Sequence, residues 1–262
     1  MTPRRAVVVA AGLGRRLLPY TDTMPKCLVP VVGRPMLARA CDLFRAHGAA
    51  DIVVVRGYRA DVLEARRGEL GPGVRFVDNP DYRDNNILES LFCAEAFLNE
   101  AFYFTYADIV FAPDVMAALA AADGDVCLVV DRAFRDVYAG RTDHPLPEAE
   151  VVALDATGGV AKVGKRALPA DEAFGEFIGL AKVSDAGAAA FVSAWRDLCA
   201  AYAGRRDAPF QRAPSFRAAY LTDLLQHLID GGLRVSPVAI DGRWREIDTV
   251  QDLDRAQSAV DW

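Results

Sequence analysis

The densest chemistry in the chain follows its first apolar run. Ala6–Ala10 leads into Gly12 and Gly14, then Arg15, Arg16 and, after a proline-containing loop, Lys26. A strand followed by G-x-G suggests a dinucleotide fingerprint. Here Leu17 stands where the third glycine belongs, and Pro19 and a long loop replace the helix whose N-terminus would hold a pyrophosphate. No Gly-Lys-Ser/Thr follows, which removes the Walker loop as well. What remains is a glycine turn that lets backbone N–H groups approach an anion, with three cations on one loop. Three cations suit a triphosphate; a solvated basic loop is the plain alternative. An acidic counterpart is expected from a strand end. Asp108 follows the apolar run Phe102–Tyr106, at the carboxyl edge where open α/β sheets bind ligands.

The run GLGRRLLPYTDTMPKCLVPVVGRPML resembles the signature of the nucleotidyltransferase superfamily that makes nucleotide-activated sugars and alcohols: G-x-G-T-R-L, then P-K-x-L, then a small residue and P-M/L. The departure is Arg15, where threonine is usual. The resemblance implies that Ala11, Gly12, Gly14 and Arg15 hold the nucleotide. It places Arg16 at the family's catalytic arginine and Lys26 at its catalytic lysine, both gripping the phosphates and stabilising charge on the leaving pyrophosphate. YADIV around Asp108 resembles the family's G-D-x-V metal motif, and Asp248 in WREIDTVQDL looks like its second metal aspartate. Two carboxylates with phosphate oxygens make a hard-cation site for Mg²⁺. Each has a plainer reading: Asp108 starting a turn, and Asp248, or Thr249 with Asp252, capping the last helix.

Asn79 to Leu91 resembles the N-x-x-Y…N-N-x-x-S-L motif of phosphocholine and phosphonate cytidylyltransferases, which implies nucleotide contacts from Asn79, Asn85, Asn86 and Ser90 and cytosine as the base. An amide can meet both the donor and the acceptor edge of a pyrimidine. Helix capping by Asn86 or Asp84 competes with that reading. VAKVGK resembles the segment whose lysine binds the acceptor phosphate, with Lys165 aligning better than Lys162, and GEFIGL places Glu176 at the acceptor's far end. A carboxylate with aromatic faces such as Tyr138, Phe177 and Trp244 suits an ammonium group. Arg132, Arg135 and Arg141 would instead favour an anionic acceptor, and the sequence leaves that choice open.

The elements that must position these residues alternate. Strands are expected at Asp51–Val55, Val74–Val77, Phe102–Tyr106 and Val126–Val130, and helices at Pro35–His47, Ala60–Arg67, Asn86–Leu98 and Pro113–Ala122. A polar, turn-rich stretch at 132–150 follows. Strands at Val151–Leu154, Gly159–Val163, Phe174–Val183 and Arg234–Val238 come next, with helices at Ala186–Tyr202, Phe216–Ile229 and Thr249–Val260. The expected class is α/β: a Rossmann-like, mixed and mostly parallel sheet flanked by helices, with a small inserted β-arm. One domain over 1–262 is expected: a nucleotide-binding core at 1–131, acceptor-side strands at 132–183 and C-terminal helices at 184–262.

With 262 residues, 52% hydrophobic and 25% charged, the chain can bury a large core. A net charge of −6 argues against non-specific binding to nucleic acid or anionic membranes. No run approaches the roughly 20 apolar residues of a membrane span, and the N-terminus does not read as a signal peptide. The five cysteines are odd in number and scattered, so free thiols in the cytoplasm are expected, and His47, His144 and His227 join no zinc pattern. The resemblance implies a CTP-dependent, Mg²⁺-dependent transfer of CMP to a small phosphomonoester or phosphonate, with pyrophosphate released. A sugar-1-phosphate nucleotidyltransferase and a silent nucleotide-binding relative are the alternatives. A glycosyltransferase is disfavoured by the lack of a D-x-D pair at Asp108. A homodimer through the 132–150 segment would fit the family.

Overall fold

The computed structural model describes residues 2–262. From the N-terminus, β1 (Arg5–Ala10) is followed by a long loop that carries the hairpin β2 (Pro30–Val31) and β3 (Arg34–Pro35). Then come α1 (Met36–Ala46), β4 (Asp51–Arg56), α2 (Ala60–Ala65), β5 (Val74–Asp78) and α3 (Ile87–Phe92). β6 (Phe102–Tyr106) leads at once into β7 (Ile109–Phe111), and α4 (Pro113–Ala121) into β8 (Val126–Asp131). The remainder holds α5 (Phe134–Tyr138), β9 (Glu150–Leu154), β10 (Val160–Lys165), β11 (Gly175–Val183) and α6 (Asp185–Ala201). It closes with α7 (Leu221–Asp230), β12 (Val235–Ile240), β13 (Trp244–Glu246) and α8 (Val250–Ala259).

The apolar strands form a parallel group ordered β6-β1-β4-β5. β11 runs antiparallel and joins it to β8, which β12 extends in parallel. The first residues of β11 also pair with β9, which carries β10 in a hairpin. The sheet is therefore mixed and mostly parallel at its centre, as expected. Alternate residues feed two cores: Val7, Val9, Val53 and Val55 on one face, and Ala6, Val8, Ile52 and Val54 on the other. Burial on both faces explains why these strands are unbroken apolar runs.

Two expectations needed correction. α3 stops at Phe92, yet the stripe that suggested a longer helix, including Ala94 and Leu98, is buried all the same in a following turn. α7 starts at Leu221, not Phe216, because the Asp223 carboxylate accepts from the Tyr220 N–H (2.8 Å) and fixes the helix start there. The turn-rich 132–150 stretch also holds α5, whose Phe134 and Tyr138 are buried. The strands β7 and β13, three residues each, were not foreseen.

Candidate active site

β1 and β6 are neighbours in register, Val9 beside Tyr106, so the loops leaving their carboxyl ends rise side by side. The first is the glycine turn and the second carries Asp108. β7, continuing from Asp108, pairs antiparallel with β13, and the Ile247 N–H donates to the Asp108 carbonyl (2.8 Å). That small two-stranded sheet sets Asp248 beside Asp108, although the two are far apart in sequence. A cavity of about 420 Å³ opens over these ends, and a recess of about 110 Å³ adjoins it behind Gly12, Lys26 and Asp108.

At one end of the cavity lie Gly12, Gly14, Arg15, Arg16 and Lys26. Gly14 has φ +62°, and a Cβ there would stand 3.0 Å from the Lys26 Cβ, so only glycine lets the turn close over the lysine. Lys26 Nζ donates to Asp108 Oδ2 (2.8 Å) and to Asp248 Oδ1. Burial alone would lower the Lys26 pKa, but Asp108, Asp248 and Glu246 outweigh it and hold the ammonium charged. Arg16 donates to the other Asp248 oxygen. Burial works against the Asp248 charge, yet Lys26, His144 and Arg16 push its pKa well below the usual range. The last helix is capped by Thr249 and Asp252, so the Asp248 side chain is spared that task.

The recess is lined by Ala11, Asn85, Asn86 and Ser90 among others. Asn79 lies outside it, 2% exposed, and donates to Asn85 Oδ1 and Ser90 Oγ (both 2.9 Å). Asn85 returns a bond to Asn79 Oδ1 (3.1 Å). Asn86 caps α3, its Oδ1 accepting from the Ile87 N–H, while its Nδ2 donates to the Ala218 carbonyl (3.0 Å). Asn86 keeps one amide proton and one lone pair for a ligand, whereas the Asn85 amide also reaches Glu89.

The rest of the lining is acidic and aromatic: Glu148, Glu150 and Glu176 lie with Lys165 among Tyr106, Phe177, Tyr220 and Trp244, while Glu246 lies beside Asp248 and Lys26. Gly179, at φ +82° where β11 slips register, leaves room for the Tyr106 ring, which a Cβ there would meet at 2.2 Å. Lys165 bonds Glu148 (3.0 Å) and lies 4.9 Å over the Tyr220 ring, whereas Lys162 is exposed. Burial pushes Glu150 up to about 7, against the pull of Lys165 and bonds from Tyr106 and Thr222. Burial, reinforced by Glu246, pushes Glu176 well above the carboxylate range. Tyr138 donates to Glu176 Oε1 (2.7 Å), and the other oxygen is buried without a partner.

The three arginines that would have favoured an anionic acceptor are engaged elsewhere: Arg132 on Asp241, Arg135 on the Ala170 and Ala173 carbonyls, and Arg141 on Asp252 and Glu246. Sequence reasoning missed Glu150, Glu246 and His144. Glu246 could have been noticed two residues before Asp248, but nothing local marks the other two.

A glycine turn with its cations at the carboxyl edge of a parallel sheet, faced by two aspartates, is the arrangement expected of a nucleotidyltransferase. Residues 6–236 match the MobA-like NTP transferase domain, and the chain belongs to that family. It is 30% identical over 255 residues to a CTP:phosphoglutamine cytidylyltransferase of Campylobacter jejuni, covering 95% of this chain and 97% of that one. It is 31% identical to a 2-aminoethylphosphonate cytidylyltransferase of Lancefieldella rimae over 61% of this chain and 60% of that one. The structure of CTP:phosphocholine cytidylyltransferase from Streptococcus pneumoniae superposes with a TM-score of 0.73 at 22% identity, covering 98% of this chain and 99% of that one. No helix among the described residues is long and apolar enough to cross a membrane, and all five cysteines are free.

Proposed function

We propose that the protein transfers CMP from CTP to a small phosphomonoester or phosphonate whose far end carries an ammonium group. The observation that carries this reading is the lining of one cavity: arginines and lysine at the glycine turn, and Glu148, Glu150 and Glu176 among aromatic rings away from it. An acceptor with an anionic head and a cationic tail fits between them, and the aromatic faces and carboxylates both attract an ammonium. The relatives named for cytidylyl transfer support CTP, and Asn85, Asn86 and Ser90 line a recess suited to the base. Asn79 serves by fixing Asn85 and Ser90.

In this reading an anionic oxygen of the acceptor attacks the α-phosphorus of CTP, a P–O bond forms, and the bond to pyrophosphate breaks. The nucleophile is already ionised, so no general base is needed. Lys26 and Arg16 hold the phosphates and offset charge on the departing pyrophosphate. Lys165 steers the acceptor's phosphoryl group, and Glu176 meets its tail. The donor set fits a divalent cation: Asp108 Oδ1 is buried without a partner, and the two aspartates already converge on one cation, the Lys26 ammonium. Bound there by Asp108 and Asp248, Mg²⁺ would neutralise phosphate charge. Pyrophosphate release should be measured with four NTPs against phosphocholine, 2-aminoethylphosphonate, a hydroxyalkylphosphonate, phosphoglutamine and glucose 1-phosphate. Turnover is expected with CTP and an aminated acceptor. Turnover only with a sugar 1-phosphate and another NTP would overturn the reading.

A further inference from the structure

His144 lies between α5 and β9, 2% exposed, and does not line the cavity. Its Nδ1 is 2.7 Å from Asp248 Oδ2, and its Nε2 is 3.7 Å from Glu246 Oε2. A carboxylate can only accept, so the shorter contact places the imidazole proton on Nδ1. Arg16 Nη1, 3.4 Å from the same nitrogen, is then a neighbouring cation rather than a donor to it. The segment is clamped from both sides. The buried Arg141 guanidinium donates to both Asp252 oxygens (2.6 and 2.9 Å) and to Glu246 (2.9 Å), and the Thr142 N–H donates to Gln251 Oε1 (2.9 Å). Arg141 to His144 therefore grips the first turn of α8, and the ring is fixed beside Asp248.

We propose that His144 is a positioning residue that keeps Asp248 aimed after the loop cations have left it; this rests on the reading of Asp248 as a metal aspartate. Lys26 and Arg16 also hold the Asp248 side chain, but both line the cavity at the glycine turn and a triphosphate competes for them. His144 is enclosed and cannot follow a ligand. It is the donor that stays, and it lets Asp248 release Lys26 without swinging away.

The test is Mn²⁺ binding to the CTP-bound protein, read from the free-ion EPR signal, alongside KM for Mg²⁺ and kcat. His144→Asn keeps a donor where Nδ1 stands, and His144→Gln carries it to where Nε2 stands, facing Glu246; both stay polar and of similar bulk. His144→Gln is expected to weaken Mn²⁺ binding about 10- to 100-fold and raise KM for Mg²⁺ in step, whereas His144→Asn should lie within about threefold of the native protein. Equal binding by the two variants, whether both native-like or both weak, overturns the proposal. If Asp248→Asn binds Mn²⁺ as the native protein does, the metal reading fails and the proposal with it.

Discussion

Lys26 has two roles that pull apart under mutation. In the proposed reaction it faces the phosphates, and it also neutralises two aspartates, one of them buried. Asp108→Asn removes one carboxylate while Lys26 still pairs with Asp248, so the fold should keep its melting temperature while kcat drops. Lys26→Met strands Asp248 without its main counter-charge, and unpairing a buried ion typically costs about 3–5 kcal/mol; Arg16 and His144 remain, so a loss of about 2 kcal/mol is expected. The sign with pH follows from Asp248, whose folded pKa is depressed. Its stabilisation is present above the unfolded carboxylate pKa and is lost only as the pH falls below it. The penalty of Lys26→Met should therefore be full at pH 7 and shrink in strong acid. Urea titrations of both variants across pH would show it. Equal stability of the two variants at pH 7 would mean that Lys26 does not hold Asp248 in solution.

At the scale of elements, the aspartate pair depends on β13, which is only three residues long and pairs with the equally short β7. What fixes it is Asp131 at the end of β8. Its carboxylate accepts from the Trp244 indole N–H (2.7 Å), the Gly242 N–H (2.7 Å) and the Ala133 N–H (2.9 Å). In Asp131→Asn, an amide NH₂ would face one of these donors, leaving a buried group unpaired at a cost of about 1–3 kcal/mol. The expected result is a red-shifted Trp244 emission and a kcat lowered at least tenfold, because β13 carries Glu246 and leads to Asp248. Native kcat with a shifted spectrum would separate β13 from the site. This element also marks where sequence reading stops. Arg16, Lys26, Asp108 and Asn85 were legible because each sits in a local motif with its own spacing, and the apolar β1 and β6 announced themselves by burial on both faces. β7 and β13 are too short for periodicity to register. Glu150, Glu246 and His144 gain their surroundings only when segments distant in sequence close on one another, as in the contacts of Glu150 with Tyr106 and Thr222 and of His144 with Arg16.

Across the whole molecule, charge is divided between the two halves of the chain. The loop after β1 supplies Arg15, Arg16 and Lys26, and the segments from 148 onward supply most of the carboxylates, with Asp108 and Lys165 crossing that division. Glu150 and Glu176 have folded pKa values raised by burial, Glu150 to about 7. The folded protein therefore binds more protons than the unfolded chain between the ordinary carboxylate pKa and about 7, so stability should fall as the pH rises through that window. An ammonium-bearing acceptor reverses the preference, because a cation beside a carboxylate favours its ionised form. Binding of 2-aminoethylphosphonate near pH 7 should then release up to about one proton from these carboxylates, beyond the protons given up by the phosphonate's own second ionisation, which ethylphosphonate, lacking the ammonium, measures. Calorimetry in two buffers of different ionisation enthalpy measures the difference directly. Glu176→Gln should reduce the release and raise KM for the aminated acceptor about 10- to 100-fold, the range of a charge-assisted hydrogen bond of roughly 1.5–3 kcal/mol. It should leave KM for CTP, held at the opposite end, near its native value. If, with each phosphonate's own ionisation subtracted, the aminated and plain ligands release the same number of protons, the carboxylates do not receive the acceptor's tail. The acidic end of the cavity would then need another occupant.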